Sequence, residues 1–281
     1  MYVIESAGLT DVGKKRKNNE DALLVDDELG LYVVADGMGG HRAGDVASQL
    51  VVETLRDFVK RHLNGESDTE FPEADQTLSR EANRILSGIK LTNKVVHEVS
   101  QSKNRYHGMG STVSVLYLNE RTLVAANVGD SPIYLVHQGN IEVLSVPHTV
   151  MAEHAAINPD SISQLGEEYR HMLTRAMGAE ETVKADICEI PCFKGDVFVI
   201  GSDGLSDCVS PEEVLEVVEN NSSEAACQSL VNMANERGGN DNVTVIVLKI
   251  VRAKENQRPM KHLISRGVKG LVKITSKKNN E

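Results

Sequence analysis

The sequence predicts an α+β fold built on antiparallel sheets, and three features of the chain lead there. Apolar runs rich in Val, Ile and Leu come in blocks, and so do the longer amphipathic stretches, whereas a doubly wound parallel fold would alternate them. Within residues 111–146 the runs are separated by the short turns NER, GDS and GN, the pattern of an antiparallel meander. With 281 residues, 40% of them hydrophobic and 25% charged, the chain can bury a sizeable core.

Each element has its own justification. Residues 2–9 open a strand ahead of a turn at 11–13, and the apolar runs 22–25 and 31–35 flank DDELG as a hairpin would. After the glycines at 39 and 40, residues 43–63 are helical in pattern, with Val46, Leu50, Leu55, Phe58 and Val59 able to share a face. Residues 64–75 are polar and acidic and hold Pro72, which marks a surface loop. A second helix fits 77–102, with Ile85, Ile89, Val95, Val96 and Val99 facing the core. The strand-like runs TVSVLYL, TLVAANV, PIYLVHQ and IEVLSV follow, and then 147–178 reads as a flap with some helix. Strands return at 185–190 and 196–200. Ser210-Pro211-Glu212-Glu213 marks a helix start, with a capping Ser, Pro at the first helical position and acids in the first turn. A further helix covers 223–237, and a last strand covers 242–251.

Charge bounds the partners. A net charge of −11 argues against general affinity for nucleic acid. Residues 252–281 carry nine Lys or Arg against two acids, a net +7, which leaves −18 on the first 251 residues. We expect a catalytic domain over 1–251 and a basic tail over 252–281. In that tail Met260, Leu263, Ile264, Val268, Leu271 and Val272 recur near helical spacing among basic residues, a pattern that suits docking to an anionic membrane surface or an acidic partner. Gly267 and Gly270 oppose a stable helix by about 1 kcal/mol each. The N-terminus does not resemble a secretory signal, and no stretch approaches the roughly 20 apolar residues of a membrane span. Cys188, Cys192, Cys208 and Cys227 lack paired CxxC spacing and read as free thiols, so the expected location is cytoplasmic.

The chemistry gathers at strand ends. Asp36, Asp130, Asp203 and Asp241 each end, or sit at the lip of, a hydrophobic run beside glycine. One such Asp is ordinary turn chemistry. Four in the same setting are better explained by a shared site of oxygen donors, which suits Mg²⁺ or Mn²⁺ rather than zinc. A carboxylate such as Asp36 can bridge two cations, and two cations can activate one water for in-line displacement at phosphorus. Gly37 leaves its carbonyl open to a metal. Upstream, Arg16 offers a planar fork for phosphate oxygens, and Glu20 and Asp21 can orient water. His41 suits a hydrogen-bonding role at a helix start, and His107, His148, His154 and His171 have no metal-binding spacing.

The ordered motifs GKKRKNNEDA, VVADGMGGHRAGDVAS, GMGSTVSVLYL, AANVGDSPIYLV, LTRAMG, VFVIGSDGLSD and GGNDNVTVIVL resemble those of bacterial metal-dependent Ser/Thr protein phosphatases of type 2C. The resemblance runs from residue 8 to residue 250 and implies an α-β-β-α four-layer sandwich, two antiparallel sheets flanked by helices. It implies that Asp36 bridges two Mn²⁺ or Mg²⁺ ions and that the Gly37 carbonyl binds one of them. Asp203 and Asp241 would complete the second, Asp21 would hold coordinating water, and Asp130 with Asp203 would take a weaker third. Arg16 would bind the substrate phosphate. The implied reaction is attack by a bridging hydroxide on a phosphoserine or phosphothreonine of a protein, with no phosphoenzyme intermediate, opposing a cognate Ser/Thr kinase. The chain departs from the pattern at Met38, where many animal members carry a histidine assigned as general acid. A metal-bound water must then protonate the leaving group, or the leaving group must be a good one. Pro132 replaces an arginine, and Pro147-His148 replaces an Asp-His pair. Two rival readings are a phosphoprotein-binding pseudophosphatase, which would need a lost ligand, and a metal phosphodiesterase or nucleotidase. The absence of Trp and only 4% aromatics disfavour a base-binding groove.

Overall fold

Side chains alternate across each strand, and in this chain both faces of most strands are apolar, so both must be covered. The computed structural model describes residues 2–39, 43–65, 74–102, 104–119, 122–158, 166 and 169–252. The tail beyond residue 252 and His41 lie outside the described residues. In chain order the elements are β1 (Val3–Asp11), β2 (Asp21–Asp26), β3 (Leu31–Met38), α1 (Gly44–Leu63), α2 (Arg80–Ser102), β4 (Gly110–Ser111), β5 (Val113–Leu118), β6 (Thr122–Val128), β7 (Ile133–His137) and β8 (Asn140–Val143). They continue with α3 (Val150–Ile157), β9 (Asp186–Pro191), β10 (Val197–Gly201), α4 (Asp203–Ser206), α5 (Pro211–Asn220), α6 (Ser223–Glu236) and β11 (Val243–Arg252).

Two antiparallel sheets face each other. One runs β1-β11-β10-β7-β8 and the other β2-β3-β5-β6-β9, with β4 paired to β3. Tyr32 and Val34 of β3 meet Phe198, Ile200, Ile246 and Leu248 between the sheets. The alternate residues Leu31, Val33 and Ala35 pack outward against Val51, Leu55 and Ile85 of α1 and α2. Across the sandwich, Val243, Val245 and Val247 pack outward against Val214, Leu230 and Val231 of α5 and α6. This is the four-layer α-β-β-α sandwich, and its period-2 alternation accounts for all three apolar layers.

The structure corrects the meander. β5 and β6 pair in one sheet, whereas β7 pairs with β8 and β10 in the other, so the chain changes sheets at Gly129–Pro132. Gly129 adopts φ +104°, and Pro132 has no N–H to give a hairpin ladder. The Gly129 backbone pairs instead with His148, donating to its Nδ1 and accepting from its N–H, both at 3.0 Å. Helix α2 starts at Arg80 and not at 77, because Thr77 N–H and Oγ1 turn back to Asp75 Oδ1 while Ser79 Oγ accepts from Ala82 N–H as the cap. The helix start at Ser210 is as expected, with a complete capping box between Ser210 and Glu213.

Candidate metal centre

Five carboxylates reach one end of the sandwich from both sheets. Asp21 opens β2 directly opposite Asp36 on β3, so cross-strand pairing turns both side chains to the same face. Asp130 sits on the crossover between the sheets. Asp203 follows β10 and opens the single-turn helix α4, and Asp241 stands two residues ahead of β11, the neighbour of β10. Arg16, on the β1–β2 loop, donates from Nη2 to Asp241 Oδ2 at 2.7 Å. All but Asp21 line one cleft of about 890 Å³.

The backbone around these groups is fixed by hydrogen bonds between distant segments. Asp36 N–H donates to Thr112 Oγ1 at 3.0 Å, and its carbonyl accepts from Thr112 N–H at 2.8 Å and Ser111 Oγ at 3.0 Å. Thr244 Oγ1 donates to Asp21 Oδ2 at 2.6 Å. Asn242 joins the loop that carries Arg16 to the stem of Asp241. Its Oδ1 accepts from Glu20 N–H at 2.8 Å and its Nδ2 donates to the carbonyls of Val12 and Asn18, each at 3.0 Å. Gly37 is required by backbone crowding, since a Cβ there would stand 2.1 Å from the Gly44 carbonyl oxygen and 2.5 Å from that of Glu20.

Electrostatics in the metal-free chain run against ionisation. Burial, followed by the hydroxyls of Thr244 and Ser202 acting the other way, leaves Asp21 pushed up to about 7. Burial and the neighbouring Asp203 charge push Asp130 up to about 6. Burial, followed by the neighbouring charges of Asp203 and Asp21, raises Asp36 well above the usual carboxylate range, and burial also raises Asp203. Asp203 Oδ1 is buried and takes no hydrogen bond from any described residue. Desolvated carboxylates held this close, with an orphaned oxygen among them, fit divalent cations. All the donors are oxygens, which suits Mn²⁺ or Mg²⁺.

A family model described as protein phosphatase 2C matches residues 13–246. The chain belongs to this family. Serine/threonine phosphatase stp of Listeria monocytogenes is 32% identical over 248 residues, covering 85% of this chain and 93% of that protein. The serine/threonine phosphatase PstP/Ppp of Mycobacterium tuberculosis superposes with TM-score 0.74 at 27% identity, over 89% of this chain and 99% of that one. A PstP catalytic domain solved with two manganese ions gives TM-score 0.73 at 28% identity, over 90% of this chain and all of that one.

The structure brings together all the residues singled out from the sequence as ligands or phosphate binder, namely Arg16, Asp21, Asp36, Gly37, Asp130, Asp203 and Asp241. It adds positioning residues that the sequence did not single out. Thr112 and Asn242 lie inside motifs of this protein phosphatase 2C chain, yet their partners are 76 and up to 230 positions away. Only spatial proximity reveals them. Arg175, in LTRAMG, also lines the cleft and pairs with Asp186 at 3.1 Å.

Proposed function

We propose that this chain hydrolyses phosphoserine and phosphothreonine in proteins at a Mn²⁺ or Mg²⁺ centre. The observation that supports this reading is the convergence of five carboxylates at one end of the sandwich, four of them lining a cleft that also holds Arg16. Asp36, the Gly37 carbonyl, Asp203 and Asp241 are the groups that would hold the two cations, with Asp36 shared between them. Asp21 would orient coordinating water, and Asp130 with Asp203 would take a weaker third ion. When bound, the cation pair supplies a water that is ionised at neutral pH and offsets the phosphoryl charge.

The chain's own groups do the rest. Arg16 stands beside the carboxylates with one nitrogen tied to Asp241, which leaves the remaining edge of its fork to hold two phosphate oxygens in line with the attack. Thr112 and Thr244 keep Asp36 and Asp21 in place. Water attacks phosphorus directly as the ester P–O bond breaks, the Ser or Thr oxygen takes up a proton from water and leaves as the hydroxyl, and no phosphoenzyme forms. The protein reverses a cognate Ser/Thr kinase in the cytoplasm, and no helix among the described residues is long and apolar enough to cross a membrane. Residues 1–251 form the catalytic unit, and the +7 tail docks it to an anionic surface or acidic partner.

The test is release of phosphate from an aryl phosphate and from a phosphothreonine peptide with Mn²⁺. Loss of both activities is expected in Asp36→Asn and Asp241→Asn. Full activity in either variant, or no activity in wild type with metal, sinks the reading. Deletion of 252–281 should leave aryl phosphate turnover intact while reducing binding to anionic vesicles or to an acidic partner. Unchanged binding makes the tail a passive extension.

A further inference from the structure

We propose that His171 is a ligand of the third cation site and makes that site prefer Mn²⁺ over Mg²⁺. This rests on the reading of the cleft as a divalent-cation centre. It goes beyond the all-oxygen set assigned there. One ligand atom each of Asp130, His171 and Asp203 lies within 4.8 Å of the others. A cation with bonds of about 2.1 Å sets its donors about 3 to 4 Å apart, so a small contraction of this triangle closes a site. Asp203, shared with the neighbouring cation of the pair, brings an unmet oxygen to this triangle. Its Oδ1 is buried without a hydrogen-bond partner among the described residues, a state that native chains avoid unless an ion or water meets the atom.

The surroundings of the imidazole fit the role. Asp207 Oδ2 stands 3.5 Å from His171 Nε2, which puts a carboxylate beside the ring, as at many histidine–metal sites. His171 lies between α3 and β9, on the stretch that leads back to the sheet, whereas Asp130 and Asp203 are fixed to the sheet ends. A cation bound to all three would therefore fasten that stretch to the core. Imidazole nitrogen suits Mn²⁺ better than Mg²⁺, which favours carboxylate, carbonyl and water. With 46% of its side chain exposed, His171 can be replaced without opening a core cavity.

The experiment is equilibrium dialysis of the full chain against Mn²⁺ and, separately, Mg²⁺, with bound ions counted by elemental mass spectrometry. Wild type is expected to take up two Mn²⁺ tightly and a third more weakly. His171→Ala should keep the two tight ions and weaken the third by about tenfold or more, and Asp130→Asn should weaken that same ion. The Mg²⁺ isotherms of wild type and His171→Ala should coincide. Three Mn²⁺ bound equally well by wild type and His171→Ala overturns the inference and leaves the two-ion reading standing. Fewer than two Mn²⁺ in wild type overturns both. Equal weakening of Mn²⁺ and Mg²⁺ at the third site overturns the preference for Mn²⁺.

Discussion

Arg16 is oriented before any phosphate arrives, because Asp241 holds one of its nitrogens at 2.7 Å. A lysine at this position would keep the charge and lose the fork. Arg16→Lys should therefore raise KM for a phosphopeptide more than it lowers kcat. The loss of one charged hydrogen bond, about 1.5–3 kcal/mol, corresponds to about ten- to a hundredfold in kcat/KM. Steady-state kinetics at saturating Mn²⁺ check this, and an unchanged KM argues that Arg16 never touches phosphate. Asp36→Asn acts on the other side of the reaction. Losing several kcal/mol of electrostatic stabilisation should lower kcat by about a thousandfold. At this scale the strand-end aspartates were legible, since Asp in a glycine turn at either end of a Val-rich run is a local pattern. Thr112 and Asn242 were not, because a bond between residues 76 or 230 positions apart leaves no mark on either neighbourhood.

Elements carry their own predictions. Ser210 caps α5 through the box with Glu213, which also pairs with Arg237 at 2.5 Å. Ser210→Ala should cost about 1 kcal/mol. For a domain of this size that lowers Tm by about 2–4 °C, with kcat/KM retained because Ser210 does not line the cleft. Gly204 is tighter. A Cβ there would stand 2.0 Å from the Asn242 carbonyl oxygen, at the joint between α4 and β11. Gly204→Ala should cost about 1–3 kcal/mol through overpacking and depress activity by shifting Asp203 against Asp241. A thermal melt with unchanged Tm would count against that joint being closed. The helix start at Ser210 and the strands on either side of the cleft were readable from caps and period. The change of sheet at Gly129–Pro132 was not, because GDS serves a hairpin and a crossover equally well. Its direction is settled by His148, which binds Gly129 from 19 residues away. Single-turn α4 and two-residue β4 are too short to show any period.

For the whole molecule, the carboxylate cluster links stability to pH and metal. Asp21 pushed up to about 7 and Asp130 pushed up to about 6 bind protons in the folded state that the unfolded chain has already released. Unfolding free energy therefore falls as pH rises from about 4 through about 7. The carboxylates with lowered values, such as Glu5 and Asp186, are ionised throughout the upper part of that window and add no slope there. Metal-free protein should thus melt at a higher temperature at pH 5.5 than at pH 7.5, Asp203→Asn should flatten the difference, and Mn²⁺ should reverse it. Calorimetry after exhaustive chelation reads all three, and a metal-free Tm that climbs from pH 5.5 to 7.5 contradicts them.

The same cleft is closed by the two ends of the described chain. Among the described residues β1 has β11 as its only sheet neighbour, the backbone N–H groups of Lys14 and Lys15 donate to the Gly239 carbonyl, and Asn242 holds the loop of Arg16. Arg16 and Asp21 thus take their partners Asp241 and Thr244 from 225 and 223 positions further along the chain, whereas Asp36 is seated by Thr112. A chain cut short before β11 should lack the sheet neighbour of β1 and the anchors of Arg16 and Asp21. Such a fragment is expected to release no phosphate from an aryl phosphate, so activity should appear only in chains that include β11.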